Sequence, residues 1–245
     1  MTNYKMTVQY DGTRYNGWQR QGNTQNTVQG KLENVLSEML GHRIEIHGSG
    51  RTDKGVHAAA QTASFKADTQ MTTEEIRAYI NRYLPEDIGV TEVLTAEERF
   101  HARLCVKSKT YVYRIWNTDL PNVFGHRYMY TFAKAVDTDK MKRAAEQLLG
   151  RHDFVGFSSL KRVKKSTVRT VTDIRIERIG NELRMTFAGD GFLYNSVRIM
   201  AGTLLEIGCG VRDGECIRTV FTTKQRAAAG ETLPAKGLTL MSVEY

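Results

Sequence analysis

The chain has 245 residues, 40% of them hydrophobic and 25% charged, which is long enough for a sizeable core and too balanced for a disordered polymer. Thirty-five Lys and Arg stand against 27 Asp and Glu, a formal charge of +8, and such an excess attracts polyanions, of which nucleic acid is the commonest large one. Cys105, Cys209 and Cys216 show no C-x-x-C spacing, which argues against a disulfide framework or a zinc ribbon and fits a reducing cytoplasm. The opening "MTNYKMTVQYDG" has no apolar signal-peptide core, and no run of about 18 apolar residues offers a membrane span.

In chain order, "YKMTVQY" (residues 4–10) alternates as a strand and ends in the turn pair Asp11-Gly12. A helix is predicted from Thr27, its N-cap, to the stop at Gly41, with Val28, Leu32, Val35, Leu36 and Met39 on one face. "RIEIHG" and "QTASF" read as strands on either side of a glycine-rich loop. Thr72 and Glu75 form a capping-box pair opening a second helix, with Ile76, Tyr79, Ile80 and Tyr83 expected inward and Pro85 ending it. "IGVTEVL" is the next strand. The order β-α-β-β-α-β is the ferredoxin-like, or RRM-like, plan.

Past Cys105 the plan starts again: a strand "TYVYRIW", a helix over 137–149 capped by Asp137, and a hairpin of "VRTVTDIRIERI" with "ELRMTFAG" around Gly180-Asn181. A helix is expected from about Phe192 to Ile207, then a closing strand "GLTLMSVEY". The expectation is an α+β chain of two ferredoxin-like halves, residues 1–104 and 105–245, whose antiparallel sheets join into one extended mixed sheet with helices on one face.

Four features carry possible chemistry. The loop "HGSGRTDKGVHAAAQ" (47–61) has the glycine spacing of a phosphate-binding P-loop, but Val56-His57 stand where Lys and Ser/Thr are required, and a dinucleotide fingerprint fails as well. What remains is a turn, with Gly48, Gly50 and Gly55 suited to positive φ, or a loop presenting Asp53. Arg198 lies on a largely apolar helix whose one other charge is Glu206, and needs a partner; Asp53 is a candidate, as are Asp190, Glu206 or a backbone carbonyl. Tyr111 and Tyr113 share one face of their strand, as core packing or as a platform for unstacked bases. "SSLKRVKKSTVR" gathers Lys161, Arg162, Lys164, Lys165 and Arg169 with no acid between them, either a solvated loop or an arm that contacts phosphates. The six histidines form no metal-ligand spacing, so no metal site is expected.

The segment "GRTDKGVHA" resembles the catalytic loop of the tRNA pseudouridine synthase A family. "YDGTRYNGWQRQ", "VQGKLENVL", "NRYLPEDIGV", "FHARLCVKSKTYVYRIWN", "STVRTV" and "KGLTLMSVEY" resemble further blocks in family order across essentially the whole chain. The resemblance implies two merged ferredoxin-like halves, a cytoplasmic homodimer, and isomerisation of uridine to pseudouridine in the tRNA anticodon stem-loop, with no cofactor and no metal. It places Asp53 as the essential carboxylate, Arg51 as the arginine that handles the flipped base, Tyr111 as the tyrosine that stacks on uracil, and Arg198 as the cation paired with the aspartate. Lys54, where the family often has a small residue, and Ser196, where methionine is common, depart from its pattern. They bear on substrate choice, so a related synthase acting on another RNA is the same-chemistry alternative, and a non-catalytic RNA-binding module is the alternative from another class.

Overall fold

The computed structural model describes residues 1–163 and 165–245. Two compact units result: Met1–Lys107 together with Leu240–Tyr245, and Ser108–Thr239.

The first unit runs β1 (Thr2–Tyr10), α1 (Val28–Leu40), β2 (His47–Gly48), β3 (His57–Ala67), α2 (Thr73–Tyr83) and β4 (Ile88–Ala96). Strand β1 lies between β3 and β4 and is antiparallel to both, with Tyr4 opposite Phe65 on one side and Thr95 on the other. Its alternation buries Tyr4, Met6, Val8 and Tyr10, as a strand with one covered face requires. The Thr27 hydroxyl caps α1 by accepting from Gly30 N–H at 3.2 Å, and Gly41 ends it at φ 73°. The capping box of α2 closes both ways: Thr72 N–H donates to Glu75 Oε2 (2.8 Å) and Glu75 N–H to Thr72 Oγ1 (3.2 Å). The Thr72 N–H, and after it the Thr72 hydroxyl donating to the same Oε2 at 3.0 Å, hold the Glu75 carboxyl below its ordinary pKa.

Two expectations fail here. The strand over "RIEIHG" shrinks to His47–Gly48, because side chains of α1 take the backbone donors that a ladder would use. Ser37 Oγ accepts from Ile44 N–H (2.9 Å) and Glu33 Oε1 from Ile46 N–H (3.1 Å). Tyr83 turns outward, 52% exposed, and meets the Tyr79 ring at 4.6 Å with a 45° tilt while Ile76 and Ile80 fill the core.

The second unit contains β5 (Ser108–Trp116), β6 (Tyr130–Thr131), α3 (Thr138–Ala145), β7 (Gly150–Asp153), β8 (Val168–Ile179), β9 (Glu182–Gly189), α4 (Ser196–Gly208) and α5 (Cys216–Thr223). Strand β10 (Leu238–Glu244) follows, its residues divided between the units. With β6, β7 and α5 set aside, β5-α3-β8-β9-α4-β10 repeats the plan of the first unit. The strands lie in the order β5-β9-β8-β7, and β6 joins β5 in parallel, so the α+β class and the mixed sheet are as the sequence predicts. Arg114 and Arg184 sit directly opposite each other on β5 and β9, an arrangement of like charges that a carboxylate must relieve. Glu182 does so. It accepts from Arg114 Nε and Nη2 at 2.8 Å each and from Arg184 Nε at 2.9 Å, and Arg114 first of all holds its pKa down.

The helix expected over 137–149 keeps its Asp137 cap but tightens into a 3-10 turn at Glu146–Leu148. The helix expected from Phe192 begins only at Ser196, because Asn195 adopts the left-handed conformation at φ 62°, a conformation asparagine tolerates better than most residues. No helix of the described residues is long and apolar enough to cross a membrane.

Candidate active site

In the first unit, Arg51 and Asp53 lie on the loop between β2 and β3, and the loop is fixed chiefly by backbone atoms. Trp18 N–H donates to Thr52 O (3.1 Å), Val56 N–H to Asp53 O (3.1 Å), and the Thr52 hydroxyl shares a 2.7 Å hydrogen bond with Tyr10 Oη. Gln61 Nε2 donates to Gly50 O at 2.9 Å, and Gly12 N–H donates to His57 Nδ1 at 3.1 Å. The same His57 nitrogen lies 3.2 Å from Asp11 Oδ1. That nitrogen therefore stands between a backbone donor and a carboxylate acceptor, and ties the start of β3 to the turn after β1.

Close approach explains the glycines. A Cβ on Gly12 would stand 2.0 Å from Val56 O, and one on Gly48 would meet the Trp18 indole at 2.4 Å. Gly48 is therefore there for space, not for positive φ as expected, whereas Gly55 does adopt φ 79°. The outcome is a tight loop with Thr52, Val56 and His57 buried, Asp53 half-buried, and Arg51 and Lys54 exposed. Arg51 is held from behind. Its Nε donates to Gln19 Oε1 (3.1 Å), Gln19 Nε2 to Gln29 Oε1 (2.7 Å), and Gln29 Nε2 to Glu33 Oε1 (2.8 Å). Gln29 and Glu33 are 6% and 4% exposed, so this chain of amides and carboxylate is the buried support of the arginine. Sequence reasoning missed it, though its signal is present: two polar residues spaced i, i+4 on the inward side of α1 beside Val28 and Leu32.

In the second unit, Tyr111 lies on β5 opposite Phe187 and is 8% exposed. Its ring meets Phe192 edge-on at 5.4 Å and 87°. Tyr113 does not share a platform with it. That ring is fully buried, and its hydroxyl donates to Pro234 O at 2.7 Å. Burial raises the Tyr113 pKa far above the ordinary tyrosine value, against the opposing charge of Arg198. Arg198 rises from the first turn of α4. Its Nε donates to Leu233 O at 2.6 Å and its Nη1 to Asn195 Oδ1 at 2.9 Å. A backbone carbonyl, one of the partners weighed from the sequence, is thus among those it has. Ser196 Oγ, two residues before it, is buried and has no hydrogen-bond partner among the described residues.

Arg169 on β8 donates to Ser166 O (3.0 Å) and Val168 O (2.6 Å) and runs past Gly191, next to the Phe192 that meets Tyr111. Lys161, Arg162 and Lys165 are exposed, and Lys164 lies outside the described residues. The segment is anchored at its ends, where Ser159 N–H donates to Tyr194 O (3.0 Å) and Thr167 Oγ1 to Asp153 Oδ1 (2.6 Å). Among the described residues no cluster of three or more His, Cys, Asp or Glu is placed to hold a metal.

The sequence model of the tRNA pseudouridine synthase family matches residues 6–103 and 144–245. A tRNA pseudouridine synthase A of Bacillus sp. (strain KSM-64) is 47% identical over the whole of both chains. Over the same full length, a tRNA pseudouridine synthase A 2 of Bacillus cereus (strain ZK / E33L) is 45% identical and a tRNA pseudouridine synthase A of Acetivibrio thermocellus 40%. Among solved structures, a chain from a Cbf5-Nop10-Gar1 complex aligns with 97% of this chain and 48% of its own, at 13% identity and a TM-score of 0.41; nothing below rests on that likeness. With the family model matched over most of its residues and these relatives matched over its full length, the chain belongs to the tRNA pseudouridine synthase family.

Proposed function

We propose that the protein isomerises uridine to pseudouridine in the anticodon stem-loop of tRNA, with Asp53 as the reacting carboxylate. The observation that supports it most is the build of the loop: a half-buried carboxylate held between two backbone hydrogen bonds, two residues from an arginine that donates to half-buried Gln19, itself braced by buried Gln29 and Glu33. A solvated turn has no use for that support.

The reaction balances within one nucleotide. The N1–C1′ bond breaks, the uracil rotates, C5 bonds to C1′, and the proton lost from C5 is matched by one gained at nitrogen, so neither an energy source nor a redox partner is required. The base must leave its stack to be reached, a step assigned to Arg51. Asp53 either adds to the nucleotide covalently or removes a sugar proton; both need it ionised. In this reading Arg198 is the cation that keeps it so, and Tyr111 stacks on the uracil. Lys161, Arg162, Lys164, Lys165 and Arg169 bind the phosphate backbone. The enzyme acts in the cytoplasm as a homodimer.

The test is a pseudouridine map of tRNA and ribosomal RNA from a deletion strain complemented with the wild-type protein or Asp53→Asn. Anticodon-arm pseudouridine restored by the first alone is the expected result. Restoration by both removes Asp53 from the chemistry, and restoration confined to ribosomal RNA moves the enzyme to another substrate.

A further inference from the structure

Beside the Asp53 loop, within the first unit, lies a cleft of about 180 Å³ lined by Trp18, Gln19, Gln29, residues 45–48, Gly50, Arg51, His101 and Arg103. The lining holds two arginines, Arg51 and Arg103, and two histidines, His47 and His101, against one acid, Glu45. That balance favours an anion. The volume is about six times a water's share of the liquid and well below the roughly 300 Å³ at which clefts begin to enclose drug-sized ligands. It suits one small anionic group, not a whole nucleoside.

The lining is arranged in advance. Gln19 Oε1 fixes Arg51 by its Nε at 3.1 Å. A turn with Leu104 and Cys105 N–H both donating to His101 O at 3.1 Å sets His101 and Arg103. His101 Nδ1 accepts from Arg103 N–H at 3.1 Å, so the neutral ring carries its proton on Nε2 and remains a donor there. His47 stacks on that ring at 4.7 Å and 24°. Burial and then His47 lower the His101 pKa, so His101 contributes a directed N–H and the two arginines contribute the charge.

We infer that this cleft is a phosphodiester subsite, seating one backbone phosphate of the RNA next to the nucleotide presented to Asp53. The inference rests on the proposed RNA-modifying function and adds to it a binding position set by His47, His101 and Arg103. Arg51, shared by cleft and loop, links the gripped phosphate to the base being extruded.

The test uses the full-length protein and an anticodon stem-loop RNA, with binding followed by anisotropy over a salt series. Arg103→Gln is expected to weaken binding several-fold and to reduce the slope of log K against log salt by about 0.7 to 0.9, the value of one lost phosphate contact; Arg103→Lys restores the slope. In parallel, RNAs carrying one neutral methylphosphonate each are titrated against the wild type. One backbone position is expected to lose affinity several-fold for the wild type and little for Arg103→Gln. The scan on the wild type stands even if the variant folds poorly: it must show one such sensitive position. An unchanged salt slope, or methylphosphonate losses of equal size in both proteins, overturns the subsite. Wild-type protein that makes no pseudouridine in any RNA overturns the proposed function instead, so the two failures are distinguishable.

Discussion

The Asp53 loop of the first unit and the basic segment of the second are both connections rich in charge, yet they are built in opposite ways. The first is held along its length by backbone hydrogen bonds at Gly50, Thr52, Asp53 and Val56. The second is tied at Ser159 and Thr167 and leaves Lys161, Arg162 and Lys165 exposed between them. A carboxylate with the role proposed for Asp53 must meet one atom of one nucleotide and needs placement, which costs glycines and buried partners. Cations that meet a polyphosphate need only sign and reach. The comparison teaches which residues are intolerant of change.

The sharpest way to break it is Asp53→Asn, expected to lower turnover by about 10⁴-fold or more while tRNA affinity in a filter-binding assay stays within a few-fold. Activity near wild type would show that the loop's rigidity serves something other than Asp53. Next in size is Gly12→Ala, which forces a Cβ onto Val56 O and should cost about 2–3 kcal/mol in a urea melt, with activity falling alongside stability. A stable, active variant would mean that the loop gives way easily.

Glu182→Gln probes rigidity of a third kind, two opposed arginines held by one acid. A loss of about 1–2 kcal/mol at neutral pH is expected. Because the folded Glu182 pKa is depressed, its contribution is complete above the unfolded glutamate value and vanishes as pH falls through the lower folded one. The variant's stability should therefore lack that part of the acid slope, and parallel curves for the two proteins would dismiss the pair. The smallest effect belongs to the basic segment. Replacing Lys161, Arg162, Lys164 and Lys165 with alanine should weaken tRNA binding and flatten its salt dependence, with stability within about 0.5 kcal/mol of wild type. An unaltered salt slope would return the segment to plain solvated surface.

The first unit was legible because its signals are local. Thr27, Gly41, Thr72 and Glu75 announce helix ends through atoms three or four residues away, and β1 announces its buried face by alternation. The misses are tertiary. Nothing near Ile44 says that Ser37 will claim its N–H, and nothing around Arg198 points to a carbonyl at Leu233, 35 residues on. The short strands β6 and β7 owe their existence to β5 and β8 more than to their own residues. In the site, the motif around Asp53 stood out in the sequence. Its support, Gln19, Gln29 and Glu33, did not, since glutamines on a helix read as surface until the neighbours that enclose them are known.

Residues 240–245 return to the first unit across the 132 residues of Ser108–Thr239. Lys107 N–H donates to Glu244 O at 2.9 Å, Tyr245 Oη to Ala102 O at 2.8 Å, and Lys5 Nζ lies 4.6 Å from the Tyr245 ring centroid. On a ribosome adding about 5–20 residues per second, the unit that carries Asp53 waits on the order of ten seconds between emerging and receiving its last strand residues. During that interval β3 lacks the neighbour that follows it in the sheet order and has on that side only the two-residue pairing of β2 at Ala63 and Ser64, leaving most of a strand edge open. The order of synthesis thus makes the Asp53 unit the first to emerge and one of the last to close.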